Sequence, residues 1–481
     1  MNPKTLGIGL VGAVAALLLA SPYFIGMQIE SGAQSYIEQY QVPGYEYSLH
    51  VDRGYTSSVL TYGLGLDPSM LTSSADIDDE QAALLSAVFA QLKIRVYVEH
   101  GPVLTQNGLG FGLADMVTSV NGDEVPVLLD YLALAGFDEF FTASGRLEFD
   151  GSGEVDYAVS AMQYLDQDLG IEASYSGLTG TLNFEGLGRF ISSEAFSEGG
   201  KFVVDGIAFV DVGPMKMSYE MALDQGLIWF GTGSADVEFD SLVLSSPEQS
   251  GSIEGLRADM YIFDGGTSDS TSIEYSLGFD GLDSDTLQLD NALVAFSYEN
   301  ISKKALENYL KLAMSLDFSD DDTVQAALLQ FAIDELPEAL LHNPGLSVPR
   351  LSFSHQGRSF EGSLRAAIDG QKVTIPIDFR RPDLLIPALT AELHLDADES
   401  LVNDLMIIQA SSSVDASFAG NNEFDLTAEM RQTMIEQQAS MTIGIAAIQG
   451  FVIRNNGRIK ANIGLADRLL DINGTPMPLP F

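Results

Sequence analysis

Five histidines, His50, His100, His342, His355 and His394, are the side chains of this 481-residue chain best suited to acid–base or metal chemistry, and they are scattered. No HExxH pair sets two of them one helical turn apart, as zinc hydrolysis needs. The strongest local set is His394-Leu395-Asp396-Ala397-Asp398. On a strand its three polar side chains share one face and offer nitrogen and oxygen ligands to a cation. The same alternation, with Leu393, Leu395 and Ala397 on the apolar side, describes an ordinary half-buried strand, which is the reading adopted.

Acidic clusters at Asp76, Asp78, Asp79 and Glu80, at Asp283 and Asp285, and at Asp320, Asp321 and Asp322 lack the central glycine and closing glutamate of a calcium loop. They read as solvated loops. No serine stands in a GxSxG elbow. With no cysteine anywhere, disulfides, thiol catalysis and zinc–thiolate sites are excluded together. No catalytic, cofactor-binding or metal-ligating residue is therefore assigned, and no cofactor is expected. Gly7, Gly9 and Gly12 spell GxGxxG, but inside an apolar run they are no dinucleotide loop. There they give small-xxx-small spacing with Ala13 and Ala16 for helix packing.

Three stretches remain as motif residues of unknown role: Arg53, Gly54, Ser57 and Ser58 in RGYTSS, His100-Gly101-Pro102, and Asn473-Gly474. Each also has a plain reading as a turn or strand end.

The elements that carry these residues follow from periodicity. From about Tyr45 to Tyr298 apolar residues alternate with polar ones, as in Leu147 and Phe149, a turn at Asp150-Gly151-Ser152-Gly153, then Val155, Tyr157 and Val159. Met215 to Leu223 and Ile273 to Phe279 repeat the pattern. Near Ser302 the period becomes helical, with Leu306, Leu310, Ala313 and Met314 on one face and a second helix capped by Asp322 and kinked or ended at Pro337. Strands resume from Leu346 to Leu395, and helices are expected at Glu399–Gln409 and Leu426–Ile448. In the last, Met430, Met434, Met441, Ile445 and Ile448 form a stripe expected to pack into the core, with a ligand groove as the minority reading. The fold class is α+β, predominantly antiparallel β: an extended twisted sheet with a few packing helices behind an N-terminal transmembrane helix. The expected divisions are an anchor at 1–27, a β-rich region at 28–299, a helical insert at 300–345 and an α+β region at 346–481.

That anchor is the uncharged stretch from Thr5 to Met27, long enough to cross a hydrocarbon core of about 30 Å and longer than a signal-peptide apolar region. Lys4 precedes it and no Lys or Arg follows until Arg53, so the amino terminus is expected in the cytoplasm. The net charge of −45, from 68 acidic and 23 basic residues, disfavours nucleic acid and anionic headgroups as partners.

In order and spacing, the RGxxSS segment (Arg53 to Ser58), the EHGP segment (Glu99 to Pro102), the helical pair near 300–342 and the closing INGTPMPL (Ile472 to Leu479) resemble the YdgA-like family of bacterial proteins. The resemblance implies a single-pass inner-membrane protein of Gram-negative bacteria with most of its chain in the periplasm. It brings no catalytic residue or cofactor. The expected function is that of a non-catalytic envelope protein binding a partner protein or an apolar lipid ligand along its sheet. The alternatives are a periplasmic carboxylate- or metal-dependent hydrolase, with His100 or His394 to be tested first, and a scaffold that self-associates as a homodimer.

Overall fold

The computed structural model describes residues 21–34, 37, 45–66, 93–121, 139–166, 170–186, 189–204, 208–224, 227–246, 250–284, 287–316, 321–373, 385–418 and 427–478. The fold is predominantly antiparallel β with a few helices. The chain divides into two compact units: Met1–Glu248 with Glu307–Leu329, and Gln249–Leu306 with Gln330–Phe481.

The first unit opens with helix α1 (residues 21–34), which overlaps the end of the expected membrane span. Residues 5–20 of that span, with Gly7, Gly9 and Gly12, lie outside the described residues. Among those described, no helix is long and apolar enough to cross a membrane. The strands that follow are β1 (Tyr45–Arg53), β2 (Ser57–Leu66), β3 (Lys93–His100), the short pair β4 (Val103–Leu104) and β5 (Gly110–Phe111), β6 (Ala114–Asn121), β7 (Glu139–Leu147) and β8 (Gly153–Val159). Next come β9 (Met162–Asp166), β10 (Ile171–Tyr175), β11 (Leu178–Glu185), β12 (Phe190–Ser197), β13 (Gly200–Val204), β14 (Ala208–Val212), β15 (Met215–Asp224) and β16 (Leu227–Ser245). Antiparallel pairing runs β1-β2-β3-β6-β7-β8-β11-β12-β15-β16. It then returns through β14, β13, β10 and β9. The hairpin expected around Asp150–Gly153 is the β7–β8 connection.

The return path exists because the strands are long and broken in the middle. Breaks at Ser160-Ala161, Ser176-Gly177, Glu198-Gly199 and Gly213-Pro214 fall side by side, opposite Asp240-Ser241 of the continuous β16. Gly177 and Gly199 take φ of +87° and +96°, and a Cβ on Gly199 would sit 2.0 Å from the Val212 carbonyl oxygen. Only glycine fits there, and Pro214 has no N–H for the ladder, so the sheet is creased along this line.

The second unit holds β17 (Ser250–Asp264), β18 (Ser270–Ser284), β19 (Gln288–Ser302), β20 (Gly345–His355), β21 (Arg358–Ile368) and β22 (Leu389–Asp398). Helices α2 (Lys303–Ser315) and α3 (Asp321–Ala339) lie between β19 and β20 in sequence. Pro337 sits inside the last turn of α3 instead of ending it. Helices α4 (Glu399–Phe418) and α5 (Ala428–Ile448) precede β23 (Ile453–Asn455), β24 (Arg458–Ala466), β25 (Leu469–Ile472) and β26 (Thr475–Pro478). The sheet order β17-β18-β19-β20-β21-β22-β24-β25-β26 is antiparallel throughout.

Helix α5 starts where its cap dictates, Thr427 accepting the Met430 N–H at 3.2 Å, but it corrects the expected packing of the methionine stripe. Ile435, Ala439 and Ile443 are its buried face, and Ile435 packs with Ala410 and Ile407 of α4. Met430, Met434, Met441, Ile445 and Ile448 are all exposed. Ala439 is weakly apolar beside the three methionines and two isoleucines of the stripe, so periodicity alone points to the wrong face.

Candidate functional site: a helix socket and two apolar sheet faces

Two of the three sequence motifs meet under α1. Cross-strand pairing of β2 with β3 brings Ser58 beside Val98 and Ser57 beside Glu99. The adjoining His100 then places its Nε2 2.9 Å from Ser58 Oγ, with both residues buried. The Gly54 N–H closes the β1–β2 turn on the Ser57 carbonyl at 2.8 Å. Helix α1 lies on this pair so closely that a Cβ on Gly26 would sit 2.2 Å from the His100 ring. Arg53 completes the seat, pairing with Glu30 at 2.9 Å and lying 5.1 Å from the Tyr23 ring, which stacks on Tyr55. Below, Ile29 and Ala33 pack on the core of Leu60, Val98 and Ala114.

Burial pushes the His100 imidazole below its ordinary value, against an upward pull from the Tyr55 and Pro22 carbonyls, and Arg53 adds to the depression. The ring is therefore neutral near pH 7. Its Nδ1 is buried without a hydrogen-bond partner among the described residues. A serine nucleophile needs a base oriented by a third group and an open approach. Among the described residues no carboxylate sits on the His100 Nδ1, and α1 covers the pair. The motif is a seat for a helix.

Glu99 and Asp115, cross-strand neighbours, organise the loop after the cis Gly101-Pro102 peptide. Glu99 accepts from Thr105 N, Thr105 Oγ1 and Gln106 N at 2.7, 2.7 and 2.8 Å. Asp115 accepts from Arg146 through both carboxylate oxygens, at 2.7 and 2.9 Å, and from Asn107 N at 3.0 Å. Burial alone raises the pKa of each carboxyl, and these donors outweigh it, so both end below the ordinary range. Asn473 and Gly474 belong to the other unit, where they form the β25–β26 turn at φ +54° and +84°. Asn473 there accepts the Asn462 N–H and donates to the Gly450 carbonyl.

His394, His342 and His355 are also occupied by structure. His394 Nδ1 lies 2.5 Å from Asn462 Oδ1, Asp396 pairs with Arg458 and Lys460, and Asp398 accepts the Ser359 N–H. His342 touches Thr267 and His355 the Gln288 carbonyl. Among the described residues no group of three or more His, Asp or Glu is placed to hold a metal. The cluster at Asp76–Glu80, with Asp285 and Asp320, lies outside the described residues.

Each unit presents a continuous apolar sheet face. In the first, the row Val51, Leu60, Val96, Thr118, Ala143, Tyr157, Gly180, Ala195, Met217, Val237 crosses ten paired strands. Val155, Leu182 and Tyr219 extend it in the next row, half-buried. The opposite face is polar and holds an open trough of about 1090 Å³ lined by Asp156, Glu194, Lys216, Asp236 and Glu238 among others. In the second unit Met260, Tyr275 and Phe296 align across β17–β19, and Leu364, Leu393 and Ile463 across β21, β22 and β24. Tyr298 and Leu346 pair beside them. Tyr275, Leu277, Phe296, Tyr298, Leu346 and Leu364 are 41–49 % exposed, while Ser297 and Ser347 on the opposite face are 5 % and 4 % exposed. Along these rows the sheet exposes large apolar side chains between Ile262 and Ile459, which are themselves buried on the same face, while Ser297 and Ser347 opposite are buried.

Over residues 1–480 the chain matches the family described as "Bacterial protein of unknown function (DUF945)". No curated protein and no solved structure matches it.

Proposed function

The chain belongs to this bacterial family of unknown function, and we propose that it is a YdgA-like envelope protein binding the acyl chain of a lipid along the apolar face of its second-unit sheet. In this reading the apolar run that begins at Thr5 forms a single inner-membrane span ahead of the docked helix α1, the body is periplasmic, and the protein acts by binding, without catalysis. The exposed face from Tyr275 through Phe296 to Leu364 carries the proposal. Its rows cross seven strands, about 29 Å at ~4.8 Å per strand, and present apolar side chains at every step. Uncovered apolar area of that kind is costly unless an apolar ligand takes it.

The ordered RGxxSS and EHGP segments support the YdgA-like assignment, and the seat they form for α1 supports a fixed exit for a membrane span. Native mass spectrometry of the full chain released from detergent tests the reading. Lipid-mass adducts that disappear in Phe296→Asp support it, and a chain that carries no lipid from any membrane extract removes it.

A further inference from the structure

We propose that α5 pairs antiparallel with the α5 of a second copy of this chain, through the uncharged stripe Met430, Met434, Gln437, Gln438, Met441 and Ile445. Successive residues advance about 100° around a helix, so this stripe lies nearly opposite Ile435, Ala439 and Ile443, the face held by α4. Met434 is 38 % exposed and Met441 64 %. Such a stripe on a helix already packed on its other side is a second contact face.

Two observations make a second copy the occupant. Met430 and Ile445, Met434 and Met441, and Gln437 and Gln438 are each equidistant from the same midpoint. A two-fold axis there sets Met434 against Met441 and Met430 against Ile445, the self-complementarity an isologous contact needs, while the Gln438 amide at its edge is turned to Ser413 of α4. Parallel pairing or a bilayer surface has no use for that symmetry, and antiparallel pairing also opposes the helix dipoles. The chain carries a net charge of −45, so two copies can approach only where carboxylates are absent. On α5 Glu429 and Glu436 lie off the stripe, and Arg431 at its edge donates to Ser411 of α4.

The chain has no cysteine, so introduced ones report without background. Full-length Met434→Cys and Met441→Cys chains, carrying different tags, are co-expressed and oxidised in their membranes. Opposed Cα atoms fall within the ~7 Å a disulfide spans, whereas like positions lie about 10 Å apart along the pair. The expected product is the mixed disulfide, several-fold over either like-with-like product, and Met441→Glu raises the dimer dissociation constant about tenfold or more. Like-with-like products equal to or above the mixed one overturn the antiparallel pairing. A chain that stays monomeric overturns it as well, as does a monomer that floats with vesicles through Met441.

Discussion

His100 Nε2 and Ser58 Oγ, 42 residues apart in sequence, lie 2.9 Å apart beneath Gly26 of α1. The pair joins the two most distinctive motifs of the chain to the helix that leads out of its apolar amino-terminal stretch. Whatever holds that helix sets the direction in which the first-unit sheet leaves it.

Gly26→Val is the sharpest test of the seat. The new Cβ would stand 2.2 Å from the His100 ring, a ring fixed by Ser58, so helix or ring must shift. Overpacking of this kind costs about 1–3 kcal/mol. Gly32, with nothing within 4 Å of its Cβ position, is the control: Gly32→Ala is neutral or stabilising by up to about 1 kcal/mol. Limited proteolysis between α1 and β1 reads the difference.

The seat should loosen in acid. The folded His100 is depressed below 6.5, so between its folded value and 6.5 the released state binds the proton and the docked state does not. Docking strength is therefore full above about pH 6.5 and falls as the pH drops through that window. Hydrogen exchange in residues 21–34 should accelerate below about pH 6.5, and the acceleration should vanish in His100→Phe. Exchange with the same pH dependence in both proteins would assign the effect elsewhere.

Arg146→Met should cost about 2–3 kcal/mol, less than the ~3–5 for a fully buried pair because the Arg146 side chain keeps 24 % exposure while that of Asp115 keeps none. Asp115→Leu with Arg146→Met should recover most of the loss, since no buried carboxylate is then left unpaired. Chemical denaturation of the two variants against the parent chain measures both numbers.

Much of the fold could be read directly. Met215 to Leu223 alternate because one face of β15 is apolar, and the Asp150–Gly153 turn closes the expected hairpin. Helix α4 ran on to Phe418, well past Gln409, because the Ala/Ser-rich stretch contains neither proline nor glycine to stop it. The helix seat was not legible, because pairing of β2 with β3 across 42 residues is a tertiary fact. Gly26, one glycine in an apolar run, gave no sign of the ring it packs on. The choice between the Met430–Ile448 stripe and Ile435, Ala439 and Ile443 was lost for a related reason: α5 is apolar on two sides, and only contact with α4 decides which is inside.

The binding face is tested most directly by photo-crosslinking. Membranes holding the full chain are loaded with a long-chain fatty acid bearing a diazirine at mid-chain, irradiated, and the labelled peptides sequenced. Labels are predicted on β18, β19, β20 and β21, at Tyr275, Phe296, Leu346 and Leu364, with severalfold loss in Phe296→Asp. Labelling confined to residues before α1, or to the α5 stripe, would contradict a lipid-binding sheet.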